Sequence, residues 1–251
     1  MNTSLNFDTR AVSFLLEQKF QSMIVSRASQ KEARTGLHAS SLLVPESEWC
    51  TRRYTLDAVM PERKEQAELQ SWDWKRANIF ENGWKLHERW QQTFLHSGCV
   101  VMNNGKPELD LTHYDEERQL YFSPDAIIAY GGEKYVVEIK GYNLDEYERL
   151  LVASKPPDLA YRQVQLYMHL LELQRGVILV ECKNSQRFKV WAVQYDRDVV
   201  QSYLDRMYSV KGNVGSVKEF GLSRIKLRVC KSRDVPLARR CPYAKVCFEL
   251  E

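Results

Sequence analysis

Two apolar runs in the middle of the chain, on either side of Gly131 and Gly132, predict a β-hairpin. A two-residue glycine turn between such runs is a strong hairpin signal, and a hairpin centred on it places Asp125 directly opposite Glu138. Because side chains alternate between the two faces of a strand, Lys140 then shares a face with Glu138. The pattern therefore predicts two carboxylates and one ammonium group at one end of an otherwise apolar strand pair.

The spacing of apolar positions elsewhere predicts helices over about 9–27, 73–95, 158–173 and 198–210, and strands over about 99–102, 120–130, 134–141, 177–182 and 187–194. The central order of helix, three strands, helix and two strands combines a meander with a crossover helix, which predicts an α/β sheet covered by helices. The flanks look unable to fold alone. We therefore expect one domain, with an N-terminal segment 1–60, a core 61–200 and a C-terminal segment 201–251.

The predicted hairpin end has a specific chemical consequence. Two facing carboxylates repel each other, and one of them is driven toward protonation unless a cation lies between them. Mg²⁺ takes its oxygen ligands from one or two carboxylates together with water and phosphate oxygens. The pattern thus favours a Mg²⁺ or Mn²⁺ site at Asp125 and Glu138, where Lys140 activates or orients a water or steadies a phosphate oxygen. The alternative is a solvated strand end with a cross-strand salt bridge.

Composition and charge narrow the class of protein. The 251 residues are 44% hydrophobic and 27% charged, which is ordinary for a soluble globular chain. No apolar run is long enough to span a bilayer and no secretory signal is visible, so we expect no membrane association and a cytoplasmic location. The net charge is only +3, but residues 203–251 carry eleven Lys and Arg against five Asp and Glu. This basic excess suits an anionic partner such as DNA, with a solvated face as the alternative.

The six cysteines divide into two groups. Cys99 and Cys182 fall inside predicted strands, where we expect inert core residues. Disulfides are not expected in a chain with no visible export signal. Four thiolates gathered in one place would need a metal, either a tetrahedral zinc ion or an iron–sulfur cluster. The four remaining cysteines are Cys50, Cys230, Cys241 and Cys247.

A set of short motifs resembles the PD-(D/E)xK nuclease superfamily, specifically its RecB-like branch. The motifs are individually weak, but they occur in the expected order around a plausible hairpin and together span residues 83 to 167. The matching residues are Gly83, His87, Asp125, Glu138, Ile139, Lys140, Gln163 and Tyr167. The resemblance implies a restriction-endonuclease-like mixed central sheet flanked by helices.

The same resemblance implies which residues would hold the catalytic metal. Asp125, Glu138 and the carbonyl group of Ile139 are the expected oxygen ligands. His87 is the expected nitrogen ligand, supplied by a helix that faces the sheet edge. A lone histidine is more often a packed or surface residue, but its place in the Gly-x-x-x-His motif favours the ligand role.

Three further residues have expected roles in catalysis. Lys140 assists hydrolysis of the phosphodiester bond by metal-activated water. Gln163 and Tyr167 lie four positions apart and so share one helix face, from which the family steadies the active site and the DNA backbone. Their alternative is an ordinary amphipathic face. We expect Trp84 and Trp90, on the helix of His87, to serve in packing.

The arrangement of one upstream cysteine and three near the C-terminus is similar to that of the iron–sulfur branch of these nucleases. That branch includes CRISPR-associated adaptation exonucleases, and phage relatives are also similar. A [4Fe-4S] cluster is then expected to join the N- and C-terminal segments. The ten-residue gap between Cys230 and Cys241 departs from the common Cys-x2-Cys pattern, which weakens the link to the CRISPR group. Arg52 and Arg53, after Cys50, are expected to line a channel for single-stranded DNA.

The sequence therefore predicts a metal-dependent DNA exonuclease that acts on DNA ends or single strands, in recombination, repair or CRISPR adaptation. Such a role would involve a protein partner from the same pathway. Two alternatives remain open. One is a non-catalytic DNA-binding or partner-docking module on the same fold, and the other is a restriction-type endonuclease.

Overall fold

The computed structural model describes residues 9–29, 36–63, 73–109, 111–222 and 230–249. Its helices are α1 (Thr9–Ser29), α2 (Ala39–Leu42), α3 (Thr51–Val59), α4 (Trp74–His96), α5 (Leu144–Ala153), α6 (Asp158–Leu170), α7 (Arg197–Phe220), α8 (Pro236–Arg239) and α9 (Ala244–Glu249). Its strands are β1 (Leu37–His38), β2 (Met102–Asn103), β3 (Lys106–Pro107), β4 (His113–Asp115), β5 (Leu120–Phe122), β6 (Ala126–Tyr130), β7 (Glu133–Tyr142), β8 (Arg175–Cys182) and β9 (Phe188–Gln194).

The main sheet has the order β6-β7-β8-β9. Strands β7 and β8 are parallel, whereas the two outer pairs are antiparallel. The middle of β7 is an uninterrupted buried run, Val136–Ile139, which is typical of a strand that is covered on both faces. This confirms a mixed α/β fold, because the parallel pair requires the crossover through α5 and α6 that the chain provides.

Two glycines let helices approach the sheet closely. A Cβ atom added to Gly176 on β8 would lie 2.3 Å from Val164 Cγ1 of α6, and one added to Gly141 on β7 would lie 2.6 Å from Leu86 Cδ2 of α4. Real Cβ atoms do not come this near to other heavy atoms, so a larger residue at either position would push its helix outward. Gly141 therefore allows α4 to pack closely on β7, and Gly176 allows α6 to pack closely on β8.

A smaller sheet and the helical flanks complete the fold. Strands β1, β5 and β4 form a three-stranded sheet in that order, in which β1 is parallel and β4 antiparallel to β5. Helix α3 packs against the long helix α7. The C-terminal segment adds Tyr243, which is fully buried against Leu56 of α3. Among the described residues, no helix combines the length and the apolar character that crossing a membrane requires.

Several predicted elements differ from the structure. The strand expected over 120–130 is two strands, since Ser123, Pro124 and Asp125 interrupt it and Pro124 lacks a backbone donor. Helix α7 continues to Phe220 rather than ending near 210, and helix α5 was not predicted. Cys99 lies outside any strand and is half-buried, whereas Cys182 is a buried strand residue as expected.

Candidate active site

The hairpin of β6 and β7 sets the geometry of the site. Ala126 pairs with Val137, so Asp125 stands next to this pair on the side of Glu138, as the turn register predicted. Gly131 and Gly132 both have positive φ angles, 60° and 81°, which the tight turn requires. The backbone N–H of Asp125 also donates to the carbonyl of Val137 at 3.2 Å. The hairpin thus extends its pairing to the position where the two carboxylates lie.

Asp125 is a buried carboxylate held from two sides. Its Oδ1 lies 2.9 Å from His87 Nδ1, and its Oδ2 accepts a hydrogen bond from the backbone N–H of Ile139 at 2.6 Å. Gln91, one turn beyond His87 on α4, donates to the Asp125 carbonyl at 2.9 Å. Helix α4 therefore clamps the start of β6 through two side chains on one face.

The pKa of His87 is raised by this arrangement. Burial alone would lower the pKa, but the hydrogen bond and the negative charge of Asp125, together with the charge of Glu138, outweigh it. A protonated His87 donates to Asp125 and compensates its charge. In this structure the imidazole therefore acts as a partner of the carboxylate.

Glu138 is the most deeply buried charged group of the site, with 1% of its surface exposed. Its Oε1 forms an ion pair with Lys140, whereas its buried Oε2 has no hydrogen-bond partner among the described residues. Burial and the nearby charge of Asp125 raise the pKa of Glu138 to about 7, although Lys140 and His87 oppose the shift. The carboxyl group is therefore about half protonated near neutral pH in the absence of a cation.

Lys140 begins a chain of polar contacts that ends on α6. Its Nζ donates to Gln163 Oε1 at 3.3 Å, and Gln163 Nε2 in turn donates to Tyr167 OH at 3.0 Å. Burial would lower the pKa of Lys140, but the charge and hydrogen bond of Glu138 raise it overall. The side chain is therefore a fixed ammonium cation at neutral pH.

These groups line one cavity of about 790 Å³ between α4, α6 and the end of β7. The sequence prediction placed His87, Asp125, Glu138, Ile139, Lys140, Gln163 and Tyr167 together, and all seven line this cavity. The carboxylates and Lys140 form its floor. The segment around β1 and α2 also lines the cavity, through His38 and Ser40, which no sequence motif had indicated.

The side wall of the cavity is aromatic, which the sequence analysis missed. Phe80 and Trp84 lie one turn apart on α4, with ring centroids 6.4 Å apart, and are 44% and 39% exposed. Both line the cavity, one and two turns before His87. Trp84 therefore packs against Phe80, as expected, but also exposes part of its ring to the cavity. Trp90 is half-buried and donates through Nε1 to Glu181 at 2.7 Å.

The side chains of the site show whether it can hold the expected divalent metal ion. No group of three or more His, Cys, Asp or Glu side chains in the described ranges is arranged to hold a metal ion. Both Asp125 oxygens are engaged, by His87 and by the Ile139 N–H, and Glu138 is paired with Lys140. The residues nevertheless fit a hard cation, because a buried carboxylate oxygen without a partner, as in Glu138, is costly unless a donor or a cation meets it.

The four outlying cysteines also converge. Cys50, at the start of α3, and Cys230, Cys241 and Cys247 all line one void of about 20 Å³. Burial raises the pKa of the Cys241 thiol, with further upward contributions from Cys50 and Cys247. The void is smaller than a cluster, and among the described residues no three metal-ligating side chains are arranged to hold an ion.

The predicted DNA contacts of Arg52 and Arg53 need correction. Arg52 is only 2% exposed, and Arg53 lines the cysteine void with its guanidinium 5.5 Å from the ring centre of Tyr54. Both follow Cys50 on α3, whose inner face packs against α7 and the C-terminal segment. Neither arginine lines the large cavity, so the structure does not place them along a channel for DNA.

Comparison with known proteins identifies the fold. No protein-family profile matches the chain, and no characterised protein matches it by sequence. The exonuclease LHK-Exo of Laribacter hongkongensis, solved in complex with dAMP, is 12% identical, with 78% of this chain and 95% of that one covered and a TM-score of 0.50. At this identity the match establishes a shared fold, that of an alkaline exonuclease.

Two other solved structures align more loosely. A phage-related exonuclease of Haemophilus somnus is 12% identical over 74% of this chain and 96% of that one, with a TM-score of 0.39. The protein SSO0001 is 15% identical over 90% of this chain and 98% of that one, with a TM-score of 0.46. These values are too low to carry an argument about this chain.

Proposed function

We propose that this protein is a metal-dependent DNA nuclease that hydrolyses phosphodiester bonds, with exonuclease action on DNA ends or single strands. The observation that carries the proposal is the convergence of Asp125, Glu138 and Lys140 on the floor of one large cavity. Two adjacent carboxylates and a lysine supply what phosphodiester hydrolysis needs, namely ligands for a divalent cation and a positive charge for the phosphate. The fold shared with an alkaline exonuclease also supports a nuclease function.

Asp125 and Glu138 would hold Mg²⁺ or Mn²⁺, with the Ile139 carbonyl and His87 as the further ligands that the sequence motif implies. A bound divalent ion supplies a Lewis acid for the phosphate and lowers the pKa of water. For the imidazole to become a ligand, one ring nitrogen must lose its proton, and Nε2 can do so while Nδ1–H keeps its contact with Asp125. Ligand binding at this site is therefore coupled to the release of protons.

Lys140 acts as a cation rather than as a base. Its pKa is raised, so the ammonium form persists at neutral pH and is suited to a phosphate oxygen or to orienting a water. Gln163 is the positioning residue for this group, since it accepts a hydrogen bond from Nζ and is itself fixed by Tyr167. The chain of contacts limits the directions in which the lysine can point.

The aromatic side wall supports a single-stranded substrate. Exposed aromatic rings stack on unpaired bases whatever their sequence, each for about 1–3 kcal/mol. Phe80 and Trp84 offer two such rings along α4 on the approach to His87. Bases within a duplex are already stacked on one another, so this wall favours a strand end or an unpaired strand.

The test is degradation of end-labelled linear DNA in Mn²⁺ by the wild type and by Asp125→Asn. We expect rapid release of label by the wild type and loss of release in the variant. Glu133→Gln is the matched control, because Glu133 is a half-exposed acid at the other end of β7. Equal degradation by wild type and Asp125→Asn would contradict the catalytic assignment and leave the non-catalytic DNA-binding module.

Covalently closed circular DNA separates exonuclease from endonuclease action. We expect the circle to stay intact while the same DNA, once linearised, is degraded. Fragments of fixed length from the circle would instead support the restriction-type endonuclease. A protein partner in recombination, repair or CRISPR adaptation, a phage or bacterial source, and the cytoplasmic location stay predictions.

We also propose that Cys50, Cys230, Cys241 and Cys247 hold a [4Fe-4S] cluster that joins the two flanking segments. The support is that all four cysteines line one void, although Cys50 lies nearly two hundred positions before the other three in the chain. A zinc ion would require all four sulfurs at about 2.3 Å from one point. In the structure the four cysteines surround a void of only about 20 Å³, so either group would require these side chains to move apart when it binds.

A further inference from the structure

A second cleft lies on the far side of β1 from the active-site cavity. It encloses about 300 Å³, and its polar and aromatic lining consists of Tyr114, Arg118, Tyr121, Lys211 and Lys218. We call it the aromatic-basic cleft. Its other lining residues are apolar or neutral, and none of the lining residues in the described part of the chain is acidic. A concave surface of this composition suits a ligand with both flat rings and negative charge.

The cleft is connected to the active-site cavity by a row of three neighbouring rings, of which the first two are stacked and the last two are tilted. Strand pairing places His38 of β1 beside Tyr121 of β5, and Tyr121 beside Tyr114 of β4. The centroids of His38 and Tyr121 are 5.4 Å apart, and those of Tyr121 and Tyr114 are 4.5 Å apart. His38 lines the active-site cavity, whereas both tyrosines line the cleft. The row therefore crosses the small sheet from one site to the other.

The exposure of the row increases toward the cleft. His38 is 9% exposed, whereas Tyr114 at the outer end is 48% exposed and has a ring face available to a ligand. A Cβ atom on Gly36 would lie 2.9 Å from Tyr121 Cε2, so the chain before β1 holds the middle ring closely. The outermost ring is thus the one that can accept a stacked base.

The cations of the cleft are held in place without being neutralised in full. Lys211 donates through Nζ to the backbone carbonyl of Glu117, which orients the ammonium but carries no net charge. Lys218 is exposed and forms no ion pair with the other described residues. Arg118 is paired with Asp115, with Nη1 2.5 Å from Oδ2, so it contributes a flat donor surface more than charge. Two positive charges remain for phosphate groups.

We propose that the aromatic-basic cleft is a second binding site for single-stranded DNA. It would hold the part of the strand remote from the cleavage point, with a base on Tyr114 and phosphates at Lys211 and Lys218. The proposal rests on the proposed nuclease function and assigns the path of its substrate. Stacking rings combined with cations are the general means by which proteins bind single strands without reading their sequence.

The test measures binding of fluorescent oligo-dT by anisotropy, in an Asp125→Asn background so that the DNA stays intact. Tyr114→Ala should weaken binding of long oligonucleotides about tenfold, whereas Tyr114→Phe, which keeps the stacking ring, should bind as the parent does. Tyr130→Ala is the matched control, because Tyr130 is a 78% exposed strand tyrosine that lines neither site.

Salt dependence separates the roles of rings and cations. The double variant Lys211→Ala, Lys218→Ala should reduce the slope of log affinity against log salt concentration by about 1.4, whereas Tyr114→Ala should leave the slope unchanged. Long-oligonucleotide binding by Tyr114→Ala equal to that by Tyr130→Ala would overturn the cleft assignment. Tighter binding of oligo-U than of oligo-dT would overturn its assignment to DNA.

An incorrect assignment of the cleft and an incorrect assignment of the nuclease activity give different experimental results. If the wild type degrades DNA but Tyr114→Ala binds long oligonucleotides normally, the cleft assignment is wrong and the nuclease stands. If the wild type degrades no DNA but binding depends on Tyr114, the cleft stands as a DNA site on a non-catalytic protein.

Discussion

The active-site cavity and the cysteine void are built in opposite ways. The cavity floor comes from one hairpin, with Asp125, Glu138 and Lys140 within sixteen consecutive residues, and its contacts are already formed. The void joins Cys50 to the part of the chain that carries Cys230, Cys241 and Cys247, and these four described cysteines line a common space without being arranged to hold an ion. A short turn can fix side chains by register alone, whereas distant segments need the bound group itself to set their spacing.

This contrast predicts different responses to mutation and to ligand removal. Changes in the cavity should act on catalysis with little loss of fold. Changes in the void should act on stability, since a cluster bound by four cysteines would cross-link the flanks.

The largest effect is expected in the cavity. Glu138→Gln removes a proposed metal ligand and the partner of Lys140, so we expect DNA hydrolysis to fall by about a hundredfold or more. The substitution removes a buried carboxylate but leaves Lys140 without its charged partner, so we expect the melting temperature to fall by a few degrees with the fold retained. Single-turnover cleavage and thermal melting measure the two quantities. Glu133→Gln should behave as wild type, and a similar loss in both variants would contradict the assignment.

The next effect concerns the void. Cys241→Ala should abolish brown colour and iron content and should destabilise the protein by about 2–4 kcal/mol, the range typical for loss of a covalent cross-link. Iron analysis, the visible spectrum and urea unfolding measure these changes. Cys99→Ala, at a half-buried cysteine outside the void, is the matched control and should keep both iron and stability. A colourless wild-type protein with one zinc ion per chain would contradict the cluster proposal and indicate a zinc site instead.

A smaller effect is expected from pH. The folded pKa of Glu138 is raised to about 7 and that of His87 is also raised, so at these two groups the folded protein binds more protons than the unfolded chain. The contribution of Glu138 is therefore greatest below its unfolded pKa near 4.5 and is lost as the pH rises to about 7.

In the metal-free protein this loss amounts to at most about 3 kcal/mol in the free energy of unfolding. Urea unfolding from pH 4.5 to 8 measures it, and Glu138→Gln should remove the Glu138 part of the slope. Mg²⁺ competes with these protons, so its stabilising effect should be larger at pH 8 than at pH 6. Equal stabilisation at both values would argue against metal binding by these carboxylates.

The smallest effect is expected at the positioning residue. Gln163→Ala removes the acceptor that orients Lys140, and we expect kcat to fall about tenfold with KM nearly unchanged. Gln201→Ala, at an exposed glutamine of α7, is the control. An effect confined to KM would instead indicate that Gln163 binds substrate directly.

The sequence predicted the parts of the fold that follow from local rules. The hairpin register follows from two adjacent glycines, and the capped helix α4 follows from Asp73, whose side chain accepts from the Arg76 N–H at 2.8 Å. Helix α7 was predicted too short because Gly212 and Gly215 interrupt its helical pattern. Its buried face nevertheless continues to Val214, and tertiary packing overrides the low helix propensity of glycine.

The parts of the site that were missed depend on distant segments. The cavity that Trp84 lines is also formed by the segment around His38, which is distant in the chain and carries no motif. The burial of Arg52 likewise depends on the packing of α3. Side-chain periodicity shows which residues share a helix face, but it does not show which neighbour covers that face.

The docking of α3 against α7 and the C-terminal segment bears on when the protein matures. A chain is synthesised from its N-terminus, and the hairpin with α4 and α6 is complete once residue 170 has been made. Cys50 can lie beside the other three cysteines only after Cys247 has been synthesised. A nascent chain can thus assemble the cavity floor while its cysteines remain apart, and the proposed cluster would form only after that floor is complete.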